Sequence, residues 1–505
     1  MQSVLSSEIM RDSDRYTCEN VVSSRELMYT AGKEIFASCE LKAPVAIVCG
    51  SGNNAGDGYV VASLMKKDGI DCSLILLSDK RSPDGQYYFD ICKDLGVDIK
   101  YINDTDLSEF ASVIDCIFGI GFHGEVNEPE KSAINKINKA REKGAYVLSA
   151  DINSGLDSDS GMGETIVTSD LTVSVGYFKS GHFLGKAKDH IKKLVNCDIG
   201  IKIIGESYYL VEADDLKNVF AERKNFSNKG DFGYVALLGG CTSYSGAVKL
   251  ASMAYASMRC GAGVAKLIIP REISESVMPY ILENTLSVID SQNGGFVFNE
   301  AQLSCALKGI KSVAIGMGMG QSDENAKIVK YLLGREDISL ILDADALNTI
   351  AFSEELKACL KERKAPTLLT PHPKEFERLS GISVSDILKS PIRFAKDFAL
   401  KYGLTLLLKG ASTVITDGRE VYIVDKGCAG MATAGSGDVL SGVLAGISGY
   451  TENILRTAIA GAYVAGLAGE YAQSEINSIS MTARDTVENL PKAISYIMKS
   501  RKETI

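Results

Sequence analysis

Val45-Ala-Ile-Val-Cys-Gly-Ser-Gly-Asn-Asn-Ala-Gly-Asp-Gly58 is the stretch that decides the fold class. Five apolar residues, too few for a helix, run straight into a turn of glycines, asparagines and one aspartate, and residues 59–67 continue as an amphipathic helical stretch. A buried strand that feeds a helix through a glycine-rich turn is the opening of a parallel α/β unit. In such a unit the turn lies at the carboxyl end of the strand, where the N-terminal amides of the helix can meet an anion.

The same rhythm extends outward. Short apolar runs at 72–77, 113–118, 146–150 and 171–175 alternate with helical stretches such as 132–143, which predicts a parallel sheet covered on both faces, a Rossmann-like first domain. Beyond Gly200 the chain turns charged and irregular through Glu212-Ala-Asp-Asp-Leu-Lys217, and a new series opens at Tyr234-Val-Ala-Leu-Leu238. Strands are expected at 264–269, 312–315, 340–343, 367–370, 404–408, 414–416 and 421–424. Helices rich in small residues are expected at 438–449, 453–472 and 483–498. This is a second three-layer α/β domain, so the division expected is 1–211 and 212–505.

Composition narrows the class. With 505 residues, 45% of them apolar, the chain can fill two cores, and a net charge of -10 argues against a broad nucleic-acid surface while leaving local amides free to bind small phosphates. The 12 cysteines are scattered, no pair closer than Cys39 and Cys49, so no metal knuckle or disulfide frame is spelled out. Glu8, Arg11, Asp12, Asp14 and Arg15 occupy the place of a signal peptide, and no apolar run reaches about 18 residues. A cytoplasmic enzyme with reduced thiols, outside any membrane and self-associating as a homo-oligomer, is expected.

Two groups of residues carry chemistry. In the first, the glycines of Gly50-Ser-Gly-Asn-Asn-Ala-Gly-Asp-Gly58 let a backbone approach a phosphate, and Asn53, Asn54 and Asp57 add side-chain ligands. Asp115, ahead of Phe118-Gly-Ile-Gly-Phe-His-Gly-Glu125, and Asp151, in Asp151-Ile-Asn-Ser-Gly155, fall at strand ends. Such carboxylates converge on one edge of an open sheet, so Asp115, Asp151, Asn54 and Ser154 can share a pocket whose hard oxygens suit an alkali or alkaline-earth cation. The plain alternative is a tight turn and two helix-capping carboxylates.

Asn53-Asn-Ala-Gly-Asp-Gly58, Asp115-Cys-Ile-Phe-Gly-Ile-Gly121, Asp151-Ile-Asn-Ser-Gly-Leu156 and Ser180-Gly-His182 resemble the signatures of the NAD(P)H-hydrate epimerases, over most of residues 1–205. The resemblance implies that Asn53, Asn54, Ala55, Gly56 and Asp57, with Gly119, Ile120, Gly121, Phe122, His123, Gly124 and Glu125, hold hydrated NADH or NADPH. It further implies that Asn54, Asp115 and Ser154 bind potassium and that Asp151 lies at the reacting ring. Inverting the hydroxyl-bearing C6 requires a proton to move through an iminium or ring-opened species, for which Asp151 is the candidate acid/base. Ala55 stands where that family has glycine, and Asn153 where it has proline.

In the second group, Gly435-Ser-Gly-Asp438 opens a helix from Val439, so free amides and the helix dipole face an anion while Asp438 can act as base. No P-loop pattern is present. Lys229-Gly-Asp-Phe-Gly233, Ser245-Gly-Ala247, Leu342-Asp-Ala-Asp-Ala-Leu-Asn348, Leu369-Thr-Pro-His-Pro-Lys-Glu375, Lys409-Gly-Ala-Ser-Thr413 and Gly430-Met-Ala-Thr-Ala-Gly-Ser-Gly-Asp438 resemble the ADP-dependent NAD(P)H-hydrate dehydratases, a branch of the ribokinase-like fold, over about 212–500. The resemblance implies that Lys409, Gly410, Ala411, Ser412, Thr413 and Gly437 hold ADP, the phosphoryl donor, with magnesium. Ala247, Gly318, His372 and Asp438 would line the hydrate pocket, with Asp438 as base for phosphorylation of the C6 hydroxyl. Loss of phosphate then restores the dihydronicotinamide. His372, between Pro371 and Pro373, is read as a stacking or hydrogen-bonding group, and His123, His182 and His190 lack metal-ligand spacing. Two other readings remain: a ribokinase-like vitamin kinase, and a non-catalytic N-terminal binding or scaffold module of the kind found in RNA-decay assembly proteins.

Overall fold

The computed structural model describes residues 1–38, 41–253 and 256–500; Cys39, Glu40, Ala254, Tyr255 and residues 501–505 lie outside the described residues. The chain divides into two compact units, one of Ser3–Tyr208 and one of Tyr209–Ile505 joined by Met1–Gln2.

The first unit is built on a parallel sheet in the order Asp98–Tyr101, Cys72–Leu76, Val45–Cys49, Ser112–Cys116, Tyr146–Ala150, Leu171–Val175 and Leu194–Cys197. Its central strands are buried along their whole length, which is why they read as continuous apolar runs. Leu27, Ile35, Val60, Met65 and Phe89 from helices Ser24–Ala37, Asn53–Lys67 and Pro83–Asp94 cover one face, while Ala133, Ile134 and Ile137 of Glu130–Glu142 cover the other. The order places Val45–Cys49 beside Ser112–Cys116, with Cys49 opposite Cys116, so the turns that follow these two strands emerge side by side.

One element differs from expectation. The helix after the glycine turn starts at Asn53, with Gly52 as its N-cap, and not near residue 59. Asn-Asn-Ala-Gly-Asp-Gly has poor intrinsic helix propensity, and packing overrides it. A Cβ on Gly56 would lie 2.5 Å from Met28 Sδ, and one on Gly58 would lie 2.9 Å from Cys116 Sγ, so only glycines let this turn of helix press against its neighbours.

The second unit has strands Thr285–Ile289, Val264–Pro270, Tyr234–Leu238, Ser312–Ile315, Ser339–Leu342, Thr367–Leu369 and Thr405–Leu408 in parallel order. Thr413–Thr416 and Val421–Val424 extend it antiparallel. Helices Ser436–Ser448, Ile454–Glu475 and Ala483–Lys499 pack into one core with the strands. The small residues of Ile454–Glu475 serve close packing: a Cβ on Gly461 would lie 2.4 Å from Leu444 Cδ2. Among the described residues no helix is long and apolar enough to cross a membrane. The helix carrying Asp438 begins at Ser436, ahead of the expected start at 438–439.

Candidate active sites

The turns after Val45–Cys49 and Ser112–Cys116 open onto a cavity of ≈730 Å³. Asn53, Asn54 and Asp57 line it from the first turn of the helix, and Gly119, Ile120, Gly121, Phe122, His123 and Glu125 from the facing loop. Ala55 and Gly56 are buried in the helix, turned to the core, and neither they nor Gly124 line the cavity. Phe118 and Phe122 stack with centroids 4.6 Å apart, and His123 Nδ1 is held 2.8 Å from Asp157 Oδ2. An apolar ring thus has a flat partner beside polar groups, the mixed lining of a small-molecule site.

Asp151 is at the floor. It follows the strand Tyr146–Ala150 with φ of 63°, a conformation that costs a non-glycine residue about 1 kcal/mol or more and so is held by its surroundings. Its amide donates to Val173 O, Val175 N donates to Asp151 Oδ1, and Lys179 Nζ donates to the same oxygen in a short ion pair. Lys179 is fully buried and its ammonium also donates to Val175 O at 2.8 Å. His182 Nδ1 accepts from the Lys179 amide, which leaves Nε2–H to donate to Asp151 O at 2.8 Å. Burial, helped by the Lys179 charge, pushes the His182 pKa down to about 3, so the ring is a neutral strut. Asp57 and Asp14 line the same cavity; burial and then the Asp151 charge raise the carboxyl pKa of both.

Asp115 and Ser154 are completely buried behind the cavity floor. Asp115 Oδ1 accepts from Ile117 N and Ser154 Oγ, and Oδ2 from Ser149 Oγ and Ser154 N, bonds that favour the carboxylate while burial raises its pKa. Ser154 Oγ in turn accepts from Phe118 N. Asn54 Nδ2 donates to Phe118 O and Ala150 O, and Asn54 Oδ1 is left buried with no partner. An orphaned oxygen among carbonyls near a buried carboxylate fits a monovalent cation of the potassium kind. Asn153 instead binds the loop to itself, donating to Val167 O and Ser169 Oγ.

In the second unit the turn before Asp438 is a nest. Gly435 sits at φ of 95°, Ser436 Oγ is buried without a partner, and among the described residues the amides of Gly437 and Asp438 donate to no protein acceptor. Facing them, Lys409 Nζ lies 2.9 Å from Asp343 Oδ1 and 3.8 Å from Glu375 Oε2. Asp343 Oδ2 accepts from Ser441 Oγ at 2.8 Å, one turn beyond Asp438 on the same helix. A Cβ on Gly437 would stand 3.7 Å from both Lys409 Nζ and Asp343 Oδ2, which measures how closely the ammonium approaches the nest. Burial, then the charge of Asp343, pushes the Asp438 carboxyl up to about 7, with Lys409 opposing. For Lys409, burial pulls its pKa down, but Asp343, Glu375 and Asp438 outweigh it and the net direction is up. An anion hole, a cation and a carboxyl that titrates near neutrality suit phosphoryl transfer to a hydroxyl.

His372 is the N-cap of helix Pro373–Ser380: Nδ1 accepts from the amides of Lys374 and Glu375, and Nε2 lies 3.5 Å from Glu375 Oε1. Gly318 touches Ala247, a Cβ there falling 2.9 Å from Ala247 Cβ and 2.6 Å from Tyr244 O. Gly410 and Ala411 are exposed at the turn between strands, Ser412 Oγ donates to Asp425, and Thr413 pairs with Val424. Lys179, Asp343, Glu375 and Ser436 enter both sites unassigned by the sequence reading. Ion-pair geometry shows what the first three do, although Asp343 and Glu375 lie within the motifs Leu342–Asn348 and Leu369–Glu375. The position of Lys179 directly before Ser180-Gly-His182 was the available signal.

Residues 235–492 match the family described as NAD(P)H-hydrate dehydratase, and residues 24–181 the family described as YjeF-related protein N-terminus. The chain is similar to the bifunctional NAD(P)H-hydrate repair enzyme Nnr of Moorella thermoacetica, 31% identical over 96% of this chain and 94% of that protein. The Archaeoglobus fulgidus protein of the same description is 32% identical over 94% and 96%. A crystal structure of ADP/ATP-dependent NAD(P)H-hydrate dehydratase from Bacillus subtilis, co-crystallised with ATP and magnesium, is 24% identical, covers 57% of this chain and 99% of that one, and superposes with a TM-score of 0.49.

Proposed function

The chain belongs to the family of bifunctional NAD(P)H-hydrate repair enzymes, and from that premise we propose that its two sites act in sequence, the first interconverting the R and S hydrates of NADH and NADPH and the second dehydrating the S hydrate with ADP. The epimerase is assigned to residues 1–211 and the dehydratase to 212–505, while the compact units themselves change over between Tyr208 and Tyr209. Spontaneous hydration gives both epimers, so a dehydratase that consumes one drains the pool only if the other is converted.

In the first site the hydrated nicotinamide rests against Phe118 and Phe122, with its phosphates at the first-turn amides of Asn53–Lys67. Asp151 exchanges the proton that reverses the configuration at C6, and Lys179 holds that carboxylate in place. Asn54, Asp115 and Ser154 would hold potassium, whose charge would offset the buried carboxylate. The orphaned Asn54 Oδ1 supports that assignment.

In the second site Asp438 removes the C6 hydroxyl proton as that oxygen forms a bond to the terminal phosphorus of ADP. The bond to the bridging oxygen breaks, and AMP leaves. Lys409 and the amides of Gly437 and Asp438 neutralise the transferring group. The C6–O bond then breaks with loss of a proton from C5; phosphate departs and the ring double bond is restored. Ala247, Gly318 and His372 would border the ring, and Gly410, Ala411, Ser412 and Thr413 the nucleotide. Magnesium would arrive with ADP. The same proposal has the enzyme working in the cytoplasm as a homo-oligomer, on hydrated dinucleotides and not on nucleic acid.

The observation that carries the reading is the pairing of unbonded amides at Gly437 and Asp438 with a carboxyl that titrates near neutrality. Single-turnover incubation of the S hydrate with ADP and magnesium tests it: AMP, phosphate and NADH should appear in equal amounts. A phosphorylated hydrate that accumulates would assign the site to a small-molecule kinase instead.

A further inference from the structure

Beside the Ala247–Gly318 contact the surface carries an apolar patch that no reading so far uses. Tyr244 is 60% exposed, Met278 56%, Tyr280 50% and Leu282 80%. Large side chains left open together at the rim of a binding pocket mark a contact surface. Tyr244 stands at that contact, since a Cβ on Gly318 would fall 2.6 Å from its carbonyl oxygen. From Ser245 the helix Ser245–Met253 runs toward the phosphate nest, where Leu250 packs against Gly435. Lys249 lies between. Its Nζ is 3.4 Å from Ser245 Oγ and 5.0 Å from the centroid of the Tyr280 ring, and among the described residues no carboxylate is within ion-pair distance of it.

An ammonium with no carboxylate partner, set over the half-exposed ring of Tyr280 with Tyr244 one residue before its hydroxyl partner Ser245, is complementary to a purine with phosphates attached, through stacking on one part and charge on the other. The proposed substrate carries such a group in its adenosine diphosphate half, which must lie outside the pocket that takes the nicotinamide. We infer that Tyr244, Lys249 and Tyr280 form the shelf that binds the adenosine diphosphate half of the hydrated dinucleotide at the dehydratase site. This rests on the dehydration reading of the Asp438 site.

The test compares two substrates, S-NADH hydrate and the hydrate of reduced nicotinamide mononucleotide, which lacks the adenylate. The wild-type enzyme should favour the dinucleotide in kcat/KM, and Tyr280→Ala and Lys249→Ala should each lower the dinucleotide-to-mononucleotide ratio by roughly tenfold, the scale of one stacking contact. Tyr280→Phe, which keeps the ring, should retain the wild-type ratio. A wild-type ratio near unity, alanine variants with an unaltered ratio, or a phenylalanine variant that behaves like alanine would overturn the shelf while leaving the dehydratase intact. Turnover of neither hydrate by the wild-type enzyme would overturn the parent reading and the shelf with it.

Discussion

Lys409 and Asp343 are joined at 2.9 Å across the mouth of the phosphate nest, and this contact links three elements that chemistry at Asp438 needs together. Asp343 directly follows the strand Ser339–Leu342, Lys409 directly follows Thr405–Leu408, and the second oxygen of Asp343 takes the Ser441 hydroxyl from the helix that begins at Ser436. One buried carboxylate therefore fixes the cation against the base-bearing helix, and both charges act on the base.

That arrangement sets a pH profile. The base form of Asp438 is the ionised one, so kcat/KM for dehydration should rise with pH through about 7. Asp343→Asn removes a negative charge that lifts the Asp438 pKa and should move this limb to lower pH. Lys409→Met removes the opposing positive charge and should move it to higher pH. Initial rates across the range, at constant ionic strength, check the pair; shifts in one common direction would contradict the electrostatics.

In the first unit, Lys179→Met leaves Asp151 with a buried and uncompensated charge, which costs about 3–5 kcal/mol. Chemical unfolding should show that loss, and adding Asp151→Asn should return part of it. Epimerase activity should vanish in both variants while dehydration of the S hydrate persists. An unaltered unfolding midpoint for the single variant would contradict the ion pair.

Potassium should raise the melting temperature of the wild-type protein relative to tetramethylammonium at equal ionic strength, because a ligand bound only to the folded state stabilises it. Asn54→Leu removes the orphaned oxygen and should abolish the difference. Thermal scans without substrate read this directly, and a potassium effect that survives the substitution would contradict the assignment.

Gly435→Ala tests the nest itself. The residue sits at φ of 95° and a Cβ would fall 2.4 Å from Leu250 Cδ1, so both backbone strain and a clash oppose it. The strain alone is about 1–2 kcal/mol. Affinity for ADP, measured by calorimetry, should fall at least tenfold, and Leu250→Ala in the same chain should recover only the steric part.

Much of this architecture is legible in the chain because buried parallel strands leave uninterrupted apolar runs, as at Val45–Cys49 and Ser112–Cys116. Edge strands are not: Asp98–Tyr101 is mostly exposed and Thr285–Ile289 mostly half-buried, and neither carries such a signal. The helix start at Asn53 is hidden because Asn and Gly read locally as loop, and only the close approach of Met28 and Cys116 explains it. At the sites, loops rich in glycine and aspartate announce themselves, whereas Lys179, Asp343 and Glu375 acquire meaning through partners distant in sequence. Asp343 and Lys409 are 66 residues apart. His372 illustrates the converse, since a histidine noticed for its rarity also serves as a helix cap.

The most direct measurement follows reduced-nicotinamide absorbance after the full-length enzyme is mixed with both hydrate epimers, excess ADP and magnesium. Two coupled sites should return all of the hydrate to NADH, Asp151→Asn should stall once the S epimer is spent, and Asp438→Asn should return essentially none. A wild-type trace that stops at the S fraction, or an Asp438→Asn enzyme that keeps the wild-type rate, would contradict the account.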